Sequence, residues 1–334
     1  MRYSPSKGDS WVTADERLPL FNPIIRIALF SIISFVLVVL FSFIAVIMMV
    51  IVGHGIVPQR FEPKQMLAFT CFSYVPVLIA ILICRKLFDR ASFKSLGLEA
   101  HRGWQKHLFV GFLGGFAMTA VASFTCLVVG GAHGLNINAV SFKSLLFYFV
   151  CLCFQSGMEE LTMRGYILQN LLTRYRETGC IIATSVLFSA LHIANFFTLP
   201  TLPVSVAIVA MLNLTLFGSL MALASIRTKM LWTAIGLHWG WNFSTGFIFG
   251  SPVSGLKFDE SLLSVKWAYE SLLNGGAFGL EGSIIVTILL CLAIVCLSRV
   301  SFEAPVAWWE SIREAYERKT QAQLDSGIIP NEVE

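Results

Sequence analysis

A chain of 334 residues that is 56% hydrophobic and only 13% charged, with a mean hydropathy of +0.74, is too apolar for a soluble domain. It fits a polytopic membrane protein, all-α, with room for about eight spans of roughly 20 residues each. The net charge of +4 is spread over loops and gives no sign of a nucleic-acid-binding surface.

The first 20 residues are polar and of mixed charge, and the apolar run after them is too long for a signal-peptide core, so the N-terminus is expected to be retained. Ile27 to Gly53 is the first expected span, and Gln65 to Cys84, kinked at Pro76, is the second. Leu108 to Ala132 is the third; its Gly111, Gly114 and Gly115 would let a neighbouring helix approach closely. The fourth runs from Ser144 to Thr173. Thr178 to Ile226 is divided by Pro200 and Pro203 into a fifth and a sixth, Met230 to Leu256 is the seventh, and Gly282 to Ser298 is a short eighth.

Lys and Arg favour cytoplasmic loops. With the N-terminus inside, the inner segments hold 18 of the 24 Lys and Arg and the outer segments 5, with Arg164 inside the membrane. The expectation is therefore N-in and C-in. Residues 1–26 form a polar N-terminal segment, 27–298 the membrane bundle and 299–334 a cytoplasmic interfacial tail. In that tail Pro305 is placed to begin a surface helix carrying Trp308 and Trp309. The outer loop from Ser251 to Glu281 is amphipathic and is expected on the outer interface, with Trp267 and Tyr269 among its aromatics. The eight cysteines form no CxxC and lie in or beside apolar stretches, so they read as small buried hydrophobes.

The costly feature is Glu159-Glu160-Leu161-Thr162-Met163-Arg164, three charges inside the fourth span. Glu160 and Arg164 share a helix face and can pair, while Glu159 is turned by about 100° and can point elsewhere. A helix-packing ion pair would account for Glu160 and Arg164 but leaves Glu159 unpaired. His192 and His238 are the other residues of the spans that titrate near neutral pH. Counted from the inner helix ends, Glu159 lies roughly 20 Å deep, His192 roughly 18 Å, His238 roughly 11 Å and Asn242 roughly 17 Å. Phe188, His192 and Asn195 fall on one side of the fifth span, and His238 and Asn242 on one face of the seventh.

These groups suit hydrolysis of a peptide bond. A poorly hydrated carboxylate is a competent general base for water, an imidazole can hold that water or a metal, and a second His with an Asn can donate to the developing oxyanion. Ser189 and Ser244 are weaker nucleophile candidates, because small hydroxyls are common in membrane helices. Cys151 and Cys153 are read as packing residues.

Glu159-Glu160-x-x-x-Arg164, Phe188-x-x-x-His192 and His238-x-x-x-Asn242, in this order on successive membrane helices, resemble the CPBP family of intramembrane proteases. That family includes CAAX prenyl endopeptidases and bacteriocin-processing or immunity proteins. The resemblance covers about residues 142–250. It implies that Glu159 activates water with His192, that His238 and Asn242 form the oxyanion site, that Glu160 and Arg164 support the geometry, and that Phe188 packs. It also implies Glu159, His192 and His238 as ligands if zinc (Zn2+) binds. The expected partners are membrane lipid and a membrane-associated protein or peptide substrate, with no nucleic acid.

A non-catalytic membrane scaffold or immunity protein is the alternative reading. A proton-coupled transporter is a third, against which stands the lack of paired half-sequences. The chain ends Asn331-Glu332-Val333-Glu334 without a eukaryotic retention signal, so a bacterial plasma membrane is the expected location.

Overall fold

Each of the eight apolar stretches contains a helix in the computed structural model, which describes residues 18–52, 62–100, 103–268, 271–302 and 304–326. The first three are α1 (Pro23–Val52), α2 (Pro63–Leu87) and α3 (Trp104–Val128). Strand β1 (Ala132–Ile137) precedes α4 (Phe142–Glu160), which continues through a π-helical stretch, Leu161–Leu168, into α5 (Gln169–Leu172). Next come α6 (Glu177–Leu191), the single turn α7 (Ile193–Phe196), α8 (Val204–Thr228) and α9 (Trp232–Phe243), the last extended by a π turn, Ser244–Ile248. Strand β2 (Leu263–Trp267), α10 (Ile284–Arg299) and α11 (Trp308–Asp325) complete the order. The bundle is all-α apart from the two strands, which the sequence reading did not foresee.

Among the described residues, five helices are long and apolar enough to cross a membrane: Pro23–Met48, Pro63–Leu87, Trp104–Val128, Glu177–Phe196 and Val204–Thr228. Ile284–Arg299 is apolar but shorter. The fourth and seventh expected spans fall short for a physical reason. Both give apolar positions to charged or polar motif residues, and α9 is only 12 residues long.

The N-terminal end of α1, the C-terminal end of α2 and helix α11 meet at one end of the bundle, as N-in and C-in topology requires. There Asp89 accepts from Arg26 at 2.9 Å and from Arg85 at 3.2 Å, all three side chains being buried. Arg26 also donates to Thr173 Oγ1 at 3.2 Å. The tail helix begins at Trp308 rather than at Pro305. It packs on protein: Trp309 and Ile312 are buried, the Trp308 ring lies 3.6 Å from the Arg85 guanidinium, and Arg313 donates to the Tyr175 carbonyl at 2.8 Å.

At the other end β1 and β2 pair antiparallel, with Leu135 opposite Val265. The segment expected as an interfacial loop instead folds onto the bundle, burying Phe258 and Val265. Lys64 at the start of α2 binds Glu260 at 2.7 Å and Asp259 at 3.3 Å, and Tyr148 of α4 hydrogen-bonds Asp259. The Lys64 and Ser144 hydrogen bonds hold the Glu260 carboxyl below its usual range, so this tie is complete at neutral pH and is lost as pH falls through that lowered value. The polar segment before residue 18, Arg60, Arg102, Tyr269 and the chain after Ser326 lie outside the described residues.

Two glycine pairs set the position of α9. A Cβ at Gly111 would fall 2.9 Å from the Leu237 nitrogen, and one at Gly236 would fall 2.9 Å from the Phe112 nitrogen. Gly115 and Gly240 meet backbone of the facing helix in the same way, whereas Gly114 faces open space. Helices α3 and α9 thus touch backbone to backbone, which presents His238 and Asn242 at one fixed depth. Gly115→Leu is expected to destabilise the protein by about 3 kcal/mol, while Gly114→Leu leaves it unchanged. Thermal unfolding of both variants in detergent checks this.

Candidate active site

The two acids stand at the point where α4 passes from α to π geometry, a local widening that recurs at functional sites. Glu160 and Arg164 pair as their spacing predicts, Arg164 Nη1 donating to Glu160 Oε1 at 3.1 Å with both side chains 0% exposed. Arg164 Nη2 donates to the Gly218 carbonyl of α8 at 2.9 Å, and its guanidinium lies 4.7 Å from the Phe188 ring. Glu160 Oε1 also stands 2.8 Å from His238 Nδ1. A carboxylate in that position accepts the Nδ1 proton and leaves Nε2 as the outward-facing nitrogen of the ring.

Glu159 approaches the other nitrogen of the His238 ring and keeps 13% of its side chain exposed. Outside the Glu160–Arg164 pair, it has neutral hydrogen-bond partners. Its Oε1 accepts from the Tyr74 hydroxyl at 2.8 Å and from Gln155 Nε2 at 3.2 Å. Its Oε2 lies 3.7 Å from His238 Nε2, long for a direct hydrogen bond, so this oxygen keeps capacity to accept from water. Tyr74 and Gln155 were missed in the sequence reading. The signal was weak, since Tyr74 follows Ser73 and Gln155 precedes Ser156 among several other polar side chains of the same stretches.

Asn242, one turn beyond His238, is buried and its Nδ2 stands 3.3 Å from Ser156 Oγ, one turn before Glu160 on α4. His192 occupies the break between α6 and α7, where its Nδ1 stands 2.9 Å from the Phe188 carbonyl. It reaches the other motif residues through Phe188, whose ring lies 4.8 Å from the His192 ring and 6.1 Å from the His238 ring. Asn195 turns away to donate to the Ser254 carbonyl at 3.0 Å. The structure therefore brings Glu159, Glu160, Arg164 and His238 into one cluster, sets Asn242 beside it on α9, and joins His192 by way of an aromatic ring.

Ser189 donates to the Met211 carbonyl at 2.8 Å and Ser244 to the Gly240 carbonyl, so both hydroxyls are spent on backbone. Among the described residues no three His, Cys, Asp or Glu side chains are gathered as a metal ion would need, so Glu159, His192 and His238 do not form a ready ligand set.

Residues 141–244 match the Rce1-like family model. That family is described as type II CAAX prenyl endopeptidase, Rce1-like, and it is a family of proteases. The match bears out the resemblance to the CPBP, or CAAX-protease, family. It begins at Ser141, the residue whose side chain caps α4, and includes every motif residue from Glu159 to Asn242. Helices α1 to α3, the second strand and the tail helix lie outside it. No curated protein and no solved structure matches the chain.

Removing one partner from a buried ion pair strands the other. Arg164→Met is expected to cost about 3–5 kcal/mol, and adding Glu160→Gln to it should return part of that loss. Unfolding of the two single variants and the double variant in detergent reads the coupling.

Proposed function

We propose that the chain is an intramembrane endopeptidase that hydrolyses a peptide bond of a membrane-associated protein or peptide with Glu159 as general base. The observation that carries this reading is the asymmetry of the two acids. Glu160 is dry, paired and engaged with His238, while Glu159 has one oxygen held by two donors and the other turned toward His238 and partly open.

In this reading Glu159 Oε2 takes a proton from water as the water oxygen bonds to the scissile carbonyl carbon. The carbonyl becomes an oxyanion, to which His238 Nε2–H and Asn242 Nδ2 donate. Collapse of the tetrahedral species breaks the C–N bond, and Glu159 returns its proton to the leaving nitrogen. Donation from Nε2 requires that His238 carry protons on both ring nitrogens. That charge suits the cluster, since two carboxylates and one guanidinium reach neutrality with one further proton. Glu160 fixes the His238 ring and Arg164 offsets the Glu160 charge. With Nδ1–H committed to the Phe188 carbonyl, His192 offers Nε2 as an acceptor for the water. The substrates to test include prenylated CAAX termini, the class named in the description of the matching family.

A scaffold or immunity role is the second reading. It is favoured by the same buried contacts, because Glu160 and Arg164 join α4 to α8 and α9 whether or not a reaction follows.

Glu159→Gln is expected to lower kcat at least about 10²-fold with unchanged thermal unfolding, measured on membrane peptides with detergent-purified protein. Wild-type cleavage should survive a chelator. Full cleavage by Glu159→Gln removes the protease reading, and a biological role kept by an inactive variant supports the scaffold.

A further inference from the structure

The shortest hydrogen bond to Glu159 comes from α2, a helix outside the segment that matches the protease family. We propose that Tyr74 is a positioning residue, which fixes the Glu159 carboxylate so that Oε2 alone is presented to water. The proposal rests on the reading of Glu159 as general base and extends the machinery beyond the matched core.

A glutamate on a helix surface has several rotamers, and either oxygen can serve as acceptor. Here Oε1 receives two donors from different directions, Tyr74 Oη from α2 and Gln155 Nε2 from the preceding turn of α4. Gln155 moves with α4, so it cannot set the carboxylate against the rest of the bundle. Tyr74 can, because α2 is tied at both ends. One end is held by Lys64 to Glu260 at 2.7 Å, and the other, through Asp89 just beyond the helix, by Arg26 of α1 at 2.9 Å. Between them the Cys71 thiol lies 3.4 Å from the Cys151 carbonyl of α4. A neutral donor also suits a dry site. It stabilises the ionised carboxylate without adding a charge that would compete with His238.

The groups facing Glu159 are Tyr74 from α2, Gln155 from α4 and His238 from α9, with the Glu160–Arg164 pair behind His238. Loss of the phenol donor frees the Glu159 carboxylate to take other rotamers, which lowers kcat rather than substrate binding.

The test compares full-length wild type with Tyr74→Phe and Glu159→Gln, purified in detergent and assayed at neutral pH on one cleaved peptide. Tyr74→Phe is expected to lower kcat by about tenfold, with KM within about twofold. Substitution of 3-fluorotyrosine at position 74, which keeps the hydroxyl donor at nearly the same size, should hold kcat within about twofold of wild type. This second probe decides the matter if the phenylalanine variant unfolds. An inactive Glu159→Gln beside a Tyr74→Phe that keeps the wild-type kcat overturns the positioning role alone. Full activity of Glu159→Gln overturns the general base and Tyr74's role with it.

Discussion

The site depends on one carboxylate held without water. Glu160 is fully buried, and its Oε1 is shared between the Arg164 guanidinium and His238 Nδ1. In a hydrocarbon setting an uncompensated carboxylate would be prohibitive, so α4, α8 and α9 are bound to one arrangement in which Arg164 and His238 both reach it. The same contacts that satisfy the charge also orient the imidazole.

Around that constraint the fold divides its labour. Glycines on α3 and α9 remove the side chains that would keep the helices apart, so α9 enters deeply enough for His238 to face α4. The Phe188 ring fills the space among Arg164, His192 and His238 and joins α6 to the cluster. The break at His192 ends α6 where the ring can turn back on the Phe188 carbonyl.

Both ends of the bundle are closed by contacts between segments distant in sequence. At one end the buried Arg26–Asp89–Arg85 group is covered by Trp308 of the tail helix. At the other, Lys64, Ser144, Tyr148, Asp259 and Glu260 tie α2 and α4 to the loop beyond α9. Helix α2 takes part in both closures, which gives Tyr74 a fixed frame from which to reach Glu159.

The membrane character and the positions of the helices were legible in the sequence, because hydrocarbon demands long apolar runs. So was the Glu160–Arg164 pair, since both residues lie on one helix and their spacing fixes their separation. The motif residues could be named from the sequence, but not their contacts. The bond from Glu160 to His238, the Tyr74 hydroxyl on Glu159 and the route from His192 through Phe188 join different helices, and no period along one helix encodes how another is placed against it. The β1–β2 pairing escaped for the same reason: each strand is short, and its partner lies across the six helices α4 to α9. Whether three nominal ligands converge on a metal is likewise a matter of distances among helices, which packing alone decides.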